Sequence, residues 1–520
     1  MPTPRKCGGD SSVRRVDFDT IIMTPSPVRT PTAGHDRKFL SLPVRTAFLV
    51  GVIFGVLIWE LWQAATGWGG VMGTGPGTMR TVISSWQITD RSINRTPPEA
   101  FLCDMSDERS DVCRMIGDVR IDVVNRKIVL VATQPSTVRG SVVIKPHPLK
   151  QSSDYYTGPV TMARDKVQEH IHALARQTAM NSMVAPVTLT STFASNVTAL
   201  ECTHRHAAPA VVFSVGGYNG NGYHTFCDGL VPLFISTQHY KGEVVFGVLD
   251  YLGWWELKYG RIVSELSKYP VLPIGLTENK GSEEVDENRE PEVHCFSDVT
   301  VGLKLHRPNL CVDPEQMPDG ADNHAFVQLA ARAYGLPVPE PRVPGPGGSL
   351  VLGILHREKT RRLLNEAEVI EEASKMGFEL RLLSESLLEN LDNAKAMAAT
   401  QELDALLGVH GAGLSQMTMM RKGTVLIQLV PIGAEWVSES DFGECARQNG
   451  MHYIAYNVSK EESSLVRKYD GSHAAFTDPT SVWAKGWEEG SEVFLKQDIN
   501  LDKSSIRRIL EETKRYLTGQ

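Results

Sequence analysis

A glycine-rich segment that contains a histidine and an aspartate is the first candidate for chemistry. Residues 216–228 read GGYNGNGYHTFCD and follow an apolar, strand-like run at 211–215. If a helix begins near Gly222, His224 and Asp228 are four residues apart and lie on one face of it. A histidine that a carboxylate orients can remove the proton from a hydroxyl group as its oxygen attacks. We therefore predict that His224 and Asp228 are catalytic; the alternative is that His224 caps or packs the turn.

A second glycine-rich turn has the composition of a phosphate-binding loop. Residues 408–414 read GVHGAGL and lie between a predicted strand and a predicted helix. Ligands bind beyond the carboxyl ends of such strands, and small residues let backbone N–H groups and a helix N-terminus approach a phosphate. We predict that His410, Gly411, Ala412 and Gly413 bind a diphosphate or a sugar; the alternative is a tight turn with a structural histidine.

Three arginines follow the first predicted strand of the same region, at Arg357, Arg361 and Arg362. Guanidinium groups suit a diphosphate, particularly where no metal ion neutralises it. We predict Arg357 and Arg361 as diphosphate ligands, although a solvated helix face is an equal alternative for each one singly. The Asp-x-Asp motif of metal-dependent transferases occurs only at residues 17–19, and no cysteine spacing resembles a zinc site. The sequence thus predicts neither a metal ion nor a cofactor.

Two further groups of polar and aromatic residues are weaker candidates. Glu462 and Ser463 follow a strand-like run at 452–458, and their oxygen atoms are suited to binding sugar hydroxyls. An ordinary helix start explains the same residues equally well. Trp254 and Trp255 have the shape to stack on a sugar, but a role in the core is the simpler interpretation.

The composition of the whole chain excludes several classes of protein. With 520 residues, 42% hydrophobic and 22% charged, the chain can form two or more globular lobes, which excludes a disordered or fibrous protein. The 53 basic and 61 acidic residues leave a net charge of −8. That balance gives no overall attraction to nucleic acid, which we do not expect as a partner.

An apolar segment near the N-terminus predicts a membrane anchor. Residues 47–59 carry no polar side chain, and the apolar pattern resumes after Glu60, so it reaches the roughly 20 residues that cross a bilayer. It begins too late for a cleaved signal peptide. Basic residues precede it and none follow it through Met79. We therefore predict a disordered cytosolic tail at 1–45, a signal anchor at 46–65 and a luminal remainder; a buried core helix is the alternative.

Two other features agree with a luminal location. Sequons begin at Asn94, Asn196 and Asn457, which we predict as sites of N-glycosylation. In an oxidising lumen the seven cysteines after the anchor would mostly pair and leave one thiol free. Cys103 with Cys113 is the pair that proximity in the sequence favours.

The rest of the chain predicts two α/β lobes. Short apolar runs alternate with helix-like stretches, which is typical of largely parallel sheets, and the Pro- and Gly-rich segment 337–348 is suited only to a linker. We expect two Rossmann-like lobes facing a cleft, the GT-B-type architecture of sugar-nucleotide transferases. The predicted parts are a luminal stem at 66–100, an acceptor-side lobe at 101–336, a nucleotide-sugar lobe at 349–500, and a helix at 501–520 placed to cross back over the first lobe.

Taken together, these segments resemble the plant members of glycosyltransferase family 61, which include xylan arabinosyl- and xylosyltransferases. The resemblance implies an inverting, metal-independent enzyme of the Golgi membrane that transfers a pentose from a UDP-sugar to xylan. One departure is Ser415-Gln416, where the family usually has Thr-Asn, and this difference bears on the choice of donor. The matching segments are 113–120, 216–228, 254–255 with 258–259, 294–296, 357–365, 410–414, Gln428 with Pro431 and Gly433, and 462–465.

The leading hypothesis is transfer of arabinofuranose or xylose from UDP to xylan in cell-wall synthesis, by a type II Golgi membrane protein. A second hypothesis within the same family is β-1,2-xylosylation of protein N-glycans. A third is an inert luminal scaffold of a transferase complex. The expected partners are a UDP-pentose donor, a xylan or glycan acceptor, the Golgi membrane and other transferases. The pentose, the linkage and the oligomeric state stay open at this point.

Overall fold

A computed structural model describes residues 99–519, except for residue 108 and the segments 149–182, 197–199, 276–291, 341–348 and 391–392. The predicted tail and anchor and the first sequon therefore lie outside the described residues, as do the stem up to residue 98 and most of the predicted linker. Within the described part, no helix combines the length and apolar character needed to cross a bilayer.

The first half of the described chain forms one mixed sheet of ten strands. Their order is β4-β5-β3-β2-β10-β7-β8-β9, with β1 paired to β2 and β6 paired to β10. The strands are β1 Ala100–Asp104, β2 Val112–Asp122, β3 Lys127–Ala132, β4 Val142–Ile144, β5 Val187–Phe193, β6 His204–Arg205, β7 Ala210–Ser214, β8 Val245–Leu249, β9 Leu272–Ile274 and β10 Val293–Val301.

The prediction of a largely parallel sheet is right for only part of this region. Strands β10, β7, β8 and β9 run parallel, with Val299 opposite Ala210. Strand β2 is antiparallel to both β10 and β3. The reason is visible in the sequence, because the short β2–β3 connection permits a hairpin, whereas a parallel pair needs a long crossover. The first lobe is therefore not a simple Rossmann-like half.

The helices that follow β7, β8 and β10 pack on the parallel part of this sheet. The helix Gly253–Leu266 buries Trp255, Tyr259 and Ile262, which confirms a core role for Trp255, whereas Trp254 is half-buried. The α-helices are Gly222–His224, Val231–Thr237, Gly253–Leu266 and Asn323–Tyr334, the π-helix is Thr225–Leu230, and the 3₁₀-helices are Pro135–Thr137, Ala194–Asn196 and Gln238–Tyr240.

The second half of the chain forms a five-stranded, entirely parallel sheet in the order β12-β11-β13-β14-β15. The alternation of strands and helices predicted from the sequence is confirmed here. This order is doubly wound, and its direction reverses between β11 and β13, where open sheets of this kind bind ligands. The strands are β11 Leu350–His356, β12 Phe378–Ser384, β13 Ala405–Val409, β14 Val425–Val430 and β15 His452–Asn457.

Two helical segments of this half are not regular, continuous α-helices. The helix-like stretch after β12 contains two short α-helices, and the stretch after β13 is a 3₁₀-helix that begins at Ala412. The α-helices are Glu366–Lys375, Glu385–Leu388, Ala394–Gln401, Glu435–Ser438, Glu444–Gln448, Ala474–Thr477, Pro479–Trp483, Trp487–Phe494 and Lys503–Thr518, with 3₁₀-helices Ala412–Met419 and Ser464–Arg467 and a π-helix Glu439–Gly443.

The last helix does not cross back over the first lobe. Its buried face includes Ile506, Ile509 and Leu510, as its periodicity predicts. These residues belong to the core of the five-stranded sheet, with Ile427 and Ile454 of β14 and β15. The prediction was wrong because amphipathic spacing identifies a buried face without identifying the surface that covers it.

The two sheets share a core at their junction. One buried cluster includes Phe226 and Phe326 from the first half and Leu406, Met417 and Phe442 from the second. A disulfide between Cys311 and Cys445 and a hydrogen bond from Lys258 Nζ to the Leu388 carbonyl (2.8 Å) also join the halves. The halves are thus tied together and do not simply face each other.

Disulfides join six of the cysteines in the described residues. The predicted pair Cys103–Cys113 is confirmed, and it links two neighbouring positions of β1 and β2. Cys202 pairs with Cys295, and Cys311 with Cys445. Cys227 is the free, buried thiol.

Candidate active site

The loop after β7 places His224 and Asp228 in direct contact. The helix begins at Gly222, as predicted, with Asn221 as its N-cap. His224 Nδ1 lies 2.6 Å from Asp228 Oδ2. Asp228 is buried, whereas the His224 side chain keeps 11% of its surface exposed. The spacing argument therefore predicted a real contact, and the chemistry of the pair remains a prediction.

A π-helical turn from Thr225 to Leu230 carries Asp228. The Val231 N–H reaches back five residues to the Phe226 carbonyl, and Pro232 follows immediately. Proline has no N–H and its ring crowds the carbonyl four residues earlier, which here is that of Asp228. The wider turn relieves that crowding, and turns of this kind are frequent at functional sites.

Arg109 is the partner of Asp228 that the sequence analysis missed. Its Nη2 lies 2.6 Å from Asp228 Oδ1, and both side chains are buried. Burial alone raises the pKa of Asp228, but the hydrogen bond and charge of His224 together with the charge of Arg109 hold it well below its ordinary value of 3.8. Burial raises the pKa of the adjacent Cys227 thiol to about 12, so this thiol stays neutral. Asp228 is therefore an anion held between a guanidinium and an imidazole.

The arrangement fixes the proton positions on His224. An ionised Asp228 accepts hydrogen bonds only, so the Nδ1 atom of His224 carries a proton and donates it. In the neutral ring, Nε2 then keeps its lone pair and can accept a proton from a substrate hydroxyl. Asp228 and Arg109 act through His224, so we regard both as positioning residues.

The second loop brings Gly411 against two of the predicted arginines. A Cβ atom on Gly411 would lie 3.2 Å from Arg361 Nη1 and 3.3 Å from Arg357 Nη1. Gly411 has φ 155° and ψ 173°, a backbone conformation that is essentially restricted to glycine. It precedes the 3₁₀-helix Ala412–Met419, whose first N–H groups have no partner within the helix. Two guanidinium groups and a helix N-terminus thus meet at the carboxyl ends of β11 and β13.

His410 is oriented by a chain of hydrogen bonds through the interior of the second sheet. Gln428 Nε2 donates to His410 Nδ1 over 2.8 Å, and Gln428 Oε1 accepts from Tyr453 Oη over 2.8 Å. With Nδ1 accepting, the neutral imidazole carries its proton on Nε2. His410 is thereby prepared to donate a hydrogen bond, as a phosphate oxygen requires.

The two glycine-rich loops meet at the junction of the sheets. A Cβ atom on Gly222 would lie 3.5 Å from Ser415 Oγ and 3.7 Å from the Ala412 carbonyl. The ring of Phe442 contacts both Tyr223 and His410, with ring centroids 5.4 Å and 5.7 Å away. His224 and His410 therefore belong to one site that both halves build.

Polar contacts fix the relative position of the two halves at this site. Tyr223 Oη donates to Asp441 Oδ1 over 2.9 Å. Asn309 contacts the guanidinium of Arg109 and donates to the Ser440 carbonyl over 3.3 Å. The Arg109–Asp228 pair is thereby connected to the second half as well.

Glu462 and Ser463 have internal partners. Both side chains are buried. Glu462 accepts from Tyr456 Oη and from the N–H groups of Ser459 and Asp502, while Ser463 Oγ caps the 3₁₀-helix Ser464–Arg467 and bonds to Gln497. These contacts agree with the alternative that Glu462 and Ser463 stand at an ordinary helix start. Their role in donor binding remains a prediction.

Other candidates lie elsewhere or have internal partners. Arg362 pairs with Asp498 over 2.6 Å. Gln416, at the departure from the family motif, is buried and accepts from Thr400 Oγ1.

Asn196 and Asn457 are exposed, as N-glycosylation requires. Their role as modification sites remains a prediction.

Several residues of the site carried no signal that sequence reasoning could use. Arg109 is 119 residues before Asp228, in a segment without a motif. Phe442 and Asp441 have ordinary sequence surroundings. Gln428 was noted only as part of the family resemblance, and its contact with His410 is a consequence of the pairing between β13 and β14.

Comparison with known proteins assigns the family. The glycosyltransferase 61 family model matches residues 223–427, which include His224, Asp228, Arg357, Arg361 and His410. A xylan glycosyltransferase of Arabidopsis thaliana is 30% identical over 79% of this chain and 78% of that protein. In Oryza sativa subsp. japonica, an alpha-1,3-arabinosyltransferase is 32% identical over 79% of this chain and 64% of that protein. A beta-1,2-xylosyltransferase of the same organism is 30% identical over 84% of this chain and 89% of that protein. The chain belongs to glycosyltransferase family 61 and is a glycosyltransferase.

Proposed function

We propose that this protein is an inverting, metal-independent glycosyltransferase of the GT-B type that transfers arabinofuranose or xylose from a UDP-sugar to xylan. One observation carries the proposal. A buried His–Asp–Arg group from the first half and a glycine loop with two arginines from the second half converge on one site. The first arrangement suits removal of a proton, and the second suits a diphosphate leaving group.

The donor is bound by the second half in this proposal. Arg357 and Arg361 flank Gly411, so their guanidinium groups face the diphosphate together with the N–H groups that follow Gly411. His410 donates from Nε2 to a phosphate oxygen or to the sugar. These groups stabilise the negative charge that develops on UDP as the glycosidic bond breaks.

The transfer step places the acceptor beside His224. Its Nε2 removes the proton from an acceptor hydroxyl, the hydroxyl oxygen bonds to the anomeric carbon, and the bond from that carbon to the UDP oxygen breaks. Attack from the face opposite UDP inverts the configuration. Tyr218, which is 39% exposed with its ring centroid 5.6 Å from that of His224, is placed to contact an acceptor sugar.

Arg357→Ala is expected to weaken UDP binding about tenfold or more, because it removes a charge-assisted contact with the diphosphate. Arg362→Ala is the matched control. Arg362 belongs to the same segment, but its guanidinium is held 2.6 Å from Asp498. The guanidinium of Arg357 instead lies next to Gly411 and 3.9 Å from Glu385. Isothermal titration of UDP into each full-length variant measures the difference. Equal loss of affinity in both variants, or in neither, contradicts the assigned donor site.

The choice of substrates rests on the relatives. Those in Arabidopsis and rice are a xylan glycosyltransferase, an alpha-1,3-arabinosyltransferase and a beta-1,2-xylosyltransferase by name. Two of the three names specify a pentose, and one specifies xylan. A UDP-pentose donor and a xylan acceptor are the assignment that agrees with all three.

A donor and acceptor screen of the purified full-length protein tests the function. We expect transfer from UDP-arabinofuranose or UDP-xylose to xylo-oligosaccharides, detected as a mass increase of one pentose, with an unchanged initial rate in excess EDTA. Transfer only to N-glycan acceptors would assign the protein to the second hypothesis. UDP binding without transfer from any UDP-pentose would favour the scaffold.

The same proposal places the protein in the Golgi membrane with its catalytic part in the lumen. Three disulfides support an oxidising compartment. The exposed Asn196 and Asn457 and the apolar segment at 46–65 agree with this location.

A further inference from the structure

A group of histidines and a glutamate lies outside the site described above. It contains His204 and His206 of the segment around β6, and Glu292 and His294 at the start of β10. His204 is directly opposite His294 in the parallel pairing of these strands. Residues two apart on a strand share a face, so all four side chains belong to one face of the sheet.

Three of these side chains have the geometry of metal ligands. One ligand atom from each of His204, Glu292 and His294 lies within 4.8 Å of the others. His294 Nε2 is 3.1 Å from Glu292 Oε1. Two ligands about 2.0–2.2 Å from a tetrahedral zinc ion are about 3.4 Å apart. The rings of His204 and His294 are stacked with centroids 4.5 Å apart, so binding one ion requires that the exposed His204 ring rotate towards it.

Hydrogen bonds leave the required lone pair on His204. Thr203 Oγ1 accepts from the Val293 N–H and lies 2.9 Å from the Val293 carbonyl. When its proton is donated to that carbonyl, the contact of 3.0 Å with His204 has Nδ1 as the donor. The lone pair of His204 is then on Nε2. This atom is accessible, because His204 is exposed.

His206 holds the ring of His294 in place. His206 Nε2 lies 2.8 Å from His294 Nδ1, and its own ring stacks on Phe296 with centroids 4.4 Å apart. With a metal on Nε2, the neutral His294 ring carries its proton on Nδ1 and donates it to His206. Ligating histidines usually have such a partner, and it fixes the ring orientation.

Among the described residues, a second group of three side chains of metal-binding types lies close together, but it is not a candidate metal site. It consists of Asp118, Cys202 and Cys295. Its two cysteines form a disulfide and cannot act as thiolate ligands. The pair His452 and Glu512, 3.3 Å apart, reproduces one contact of the histidine group without a third ligand.

The histidine group is far from the transfer site. His294 is near the beginning of β10, while the parallel neighbour β7 leads from its carboxyl end into the loop of His224. Val301 at the end of β10 is seven residues from His294, which corresponds to about 23 Å along an extended strand. A metal here would stabilise the sheet and would not take part in sugar transfer.

We propose that His204, Glu292 and His294 form a zinc site, with water as the fourth ligand and His206 as the residue that orients His294. Two imidazoles and one carboxylate favour zinc over magnesium or manganese, which prefer oxygen ligands. The proposal is compatible with metal-independent transfer, since the ion lies away from the donor and the acceptor.

Zinc content and thermal stability of the full-length protein test this site. The protein is purified without a histidine tag, dialysed against micromolar zinc, and analysed for bound zinc by elemental mass spectrometry. We expect one zinc ion per chain and a higher Tm than in EDTA. We expect His204→Ala and Glu292→Gln to lose this zinc and its Tm increase, and His206→Ala to bind zinc about 10–100-fold more weakly.

His452→Ala is the control variant, since its loss leaves the proposed ligands intact, and it is expected to bind zinc as the wild type does. In EDTA the Tm values of His204→Ala, Glu292→Gln and wild type should agree, which shows that the variants are folded. Absence of zinc from the wild type, equal zinc in His204→Ala and the wild type, or an equal Tm increase with magnesium would overturn the proposal.

Discussion

Replacing His224 with alanine is expected to lower kcat by about 10²–10⁴-fold, while UDP binding stays unchanged. His224 is the least buried member of a buried Arg–Asp–His group, with 11% of its side chain exposed, and its Nε2 is the atom that keeps a lone pair. Without His224, the proposed site has no base to remove the proton from the acceptor hydroxyl during the attack. Initial-rate kinetics and UDP titration of the same full-length preparations measure the two quantities.

The control distinguishes loss of a base from loss of structure. Added imidazole is expected to restore part of the turnover of His224→Ala, because it supplies a proton acceptor of the same type. His410→Ala should show the opposite behaviour, with weakened UDP binding and no response to imidazole. Near-normal turnover of His224→Ala would show that Asp228 or another carboxylate is the base.

Replacing Arg109 with methionine is expected to lower the free energy of unfolding by about 3–5 kcal/mol and to abolish most of the activity. The substitution leaves Asp228 buried without its guanidinium partner, and breaking a buried ion pair in this way is strongly destabilising. Denaturant unfolding of the full-length protein measures the effect. Arg114→Met is the matched control, because its pair with Asp298 is partly exposed and should contribute at most about 1 kcal/mol.

The pH dependence of the free energy of unfolding shows whether the lost charge of Arg109 causes the destabilisation of Arg109→Met. The pKa of Asp228 is lowered in the fold, so its contribution to stability is complete above the ordinary aspartate value of 3.8 and is lost as the pH falls towards the folded value. Loss of Arg109 raises that folded pKa, and protonation then removes the unpaired charge. The stability gap between wild type and Arg109→Met should therefore narrow in acid.

A double variant completes this test. Replacing both Arg109 with methionine and Asp228 with asparagine removes both charges, so it should recover stability relative to Arg109→Met while remaining inactive. A gap that is independent of pH, or a double variant as unstable as the single one, would show that Arg109 acts through packing and not through its charge.

Local sequence determined much of the second half of the protein. Continuous apolar runs mark the three inner strands β11, β13 and β14, because strands buried on both faces need such sequence. The edge strands β12 and β15 include charged or polar residues and are only partly buried. The two glycine loops were also visible, since their residue types and their positions after strands restrict what the backbone can do there. Helical spacing also predicted the contact between His224 and Asp228, although the turn that carries Asp228 is π-helical.

The tertiary structure decided which distant residues complete the site. Arg109 reaches Asp228 from 119 residues away, and Gln428 reaches His410 because β13 pairs with β14. Periodicity predicts that a surface is buried, but it does not specify the partner, which depends on strand order and on the packing of the halves. The last helix illustrates this, since its apolar face was predicted and its position over the five-stranded sheet was not. Local patterns are set by backbone geometry, whereas the site depends on long-range packing that only the folded chain specifies.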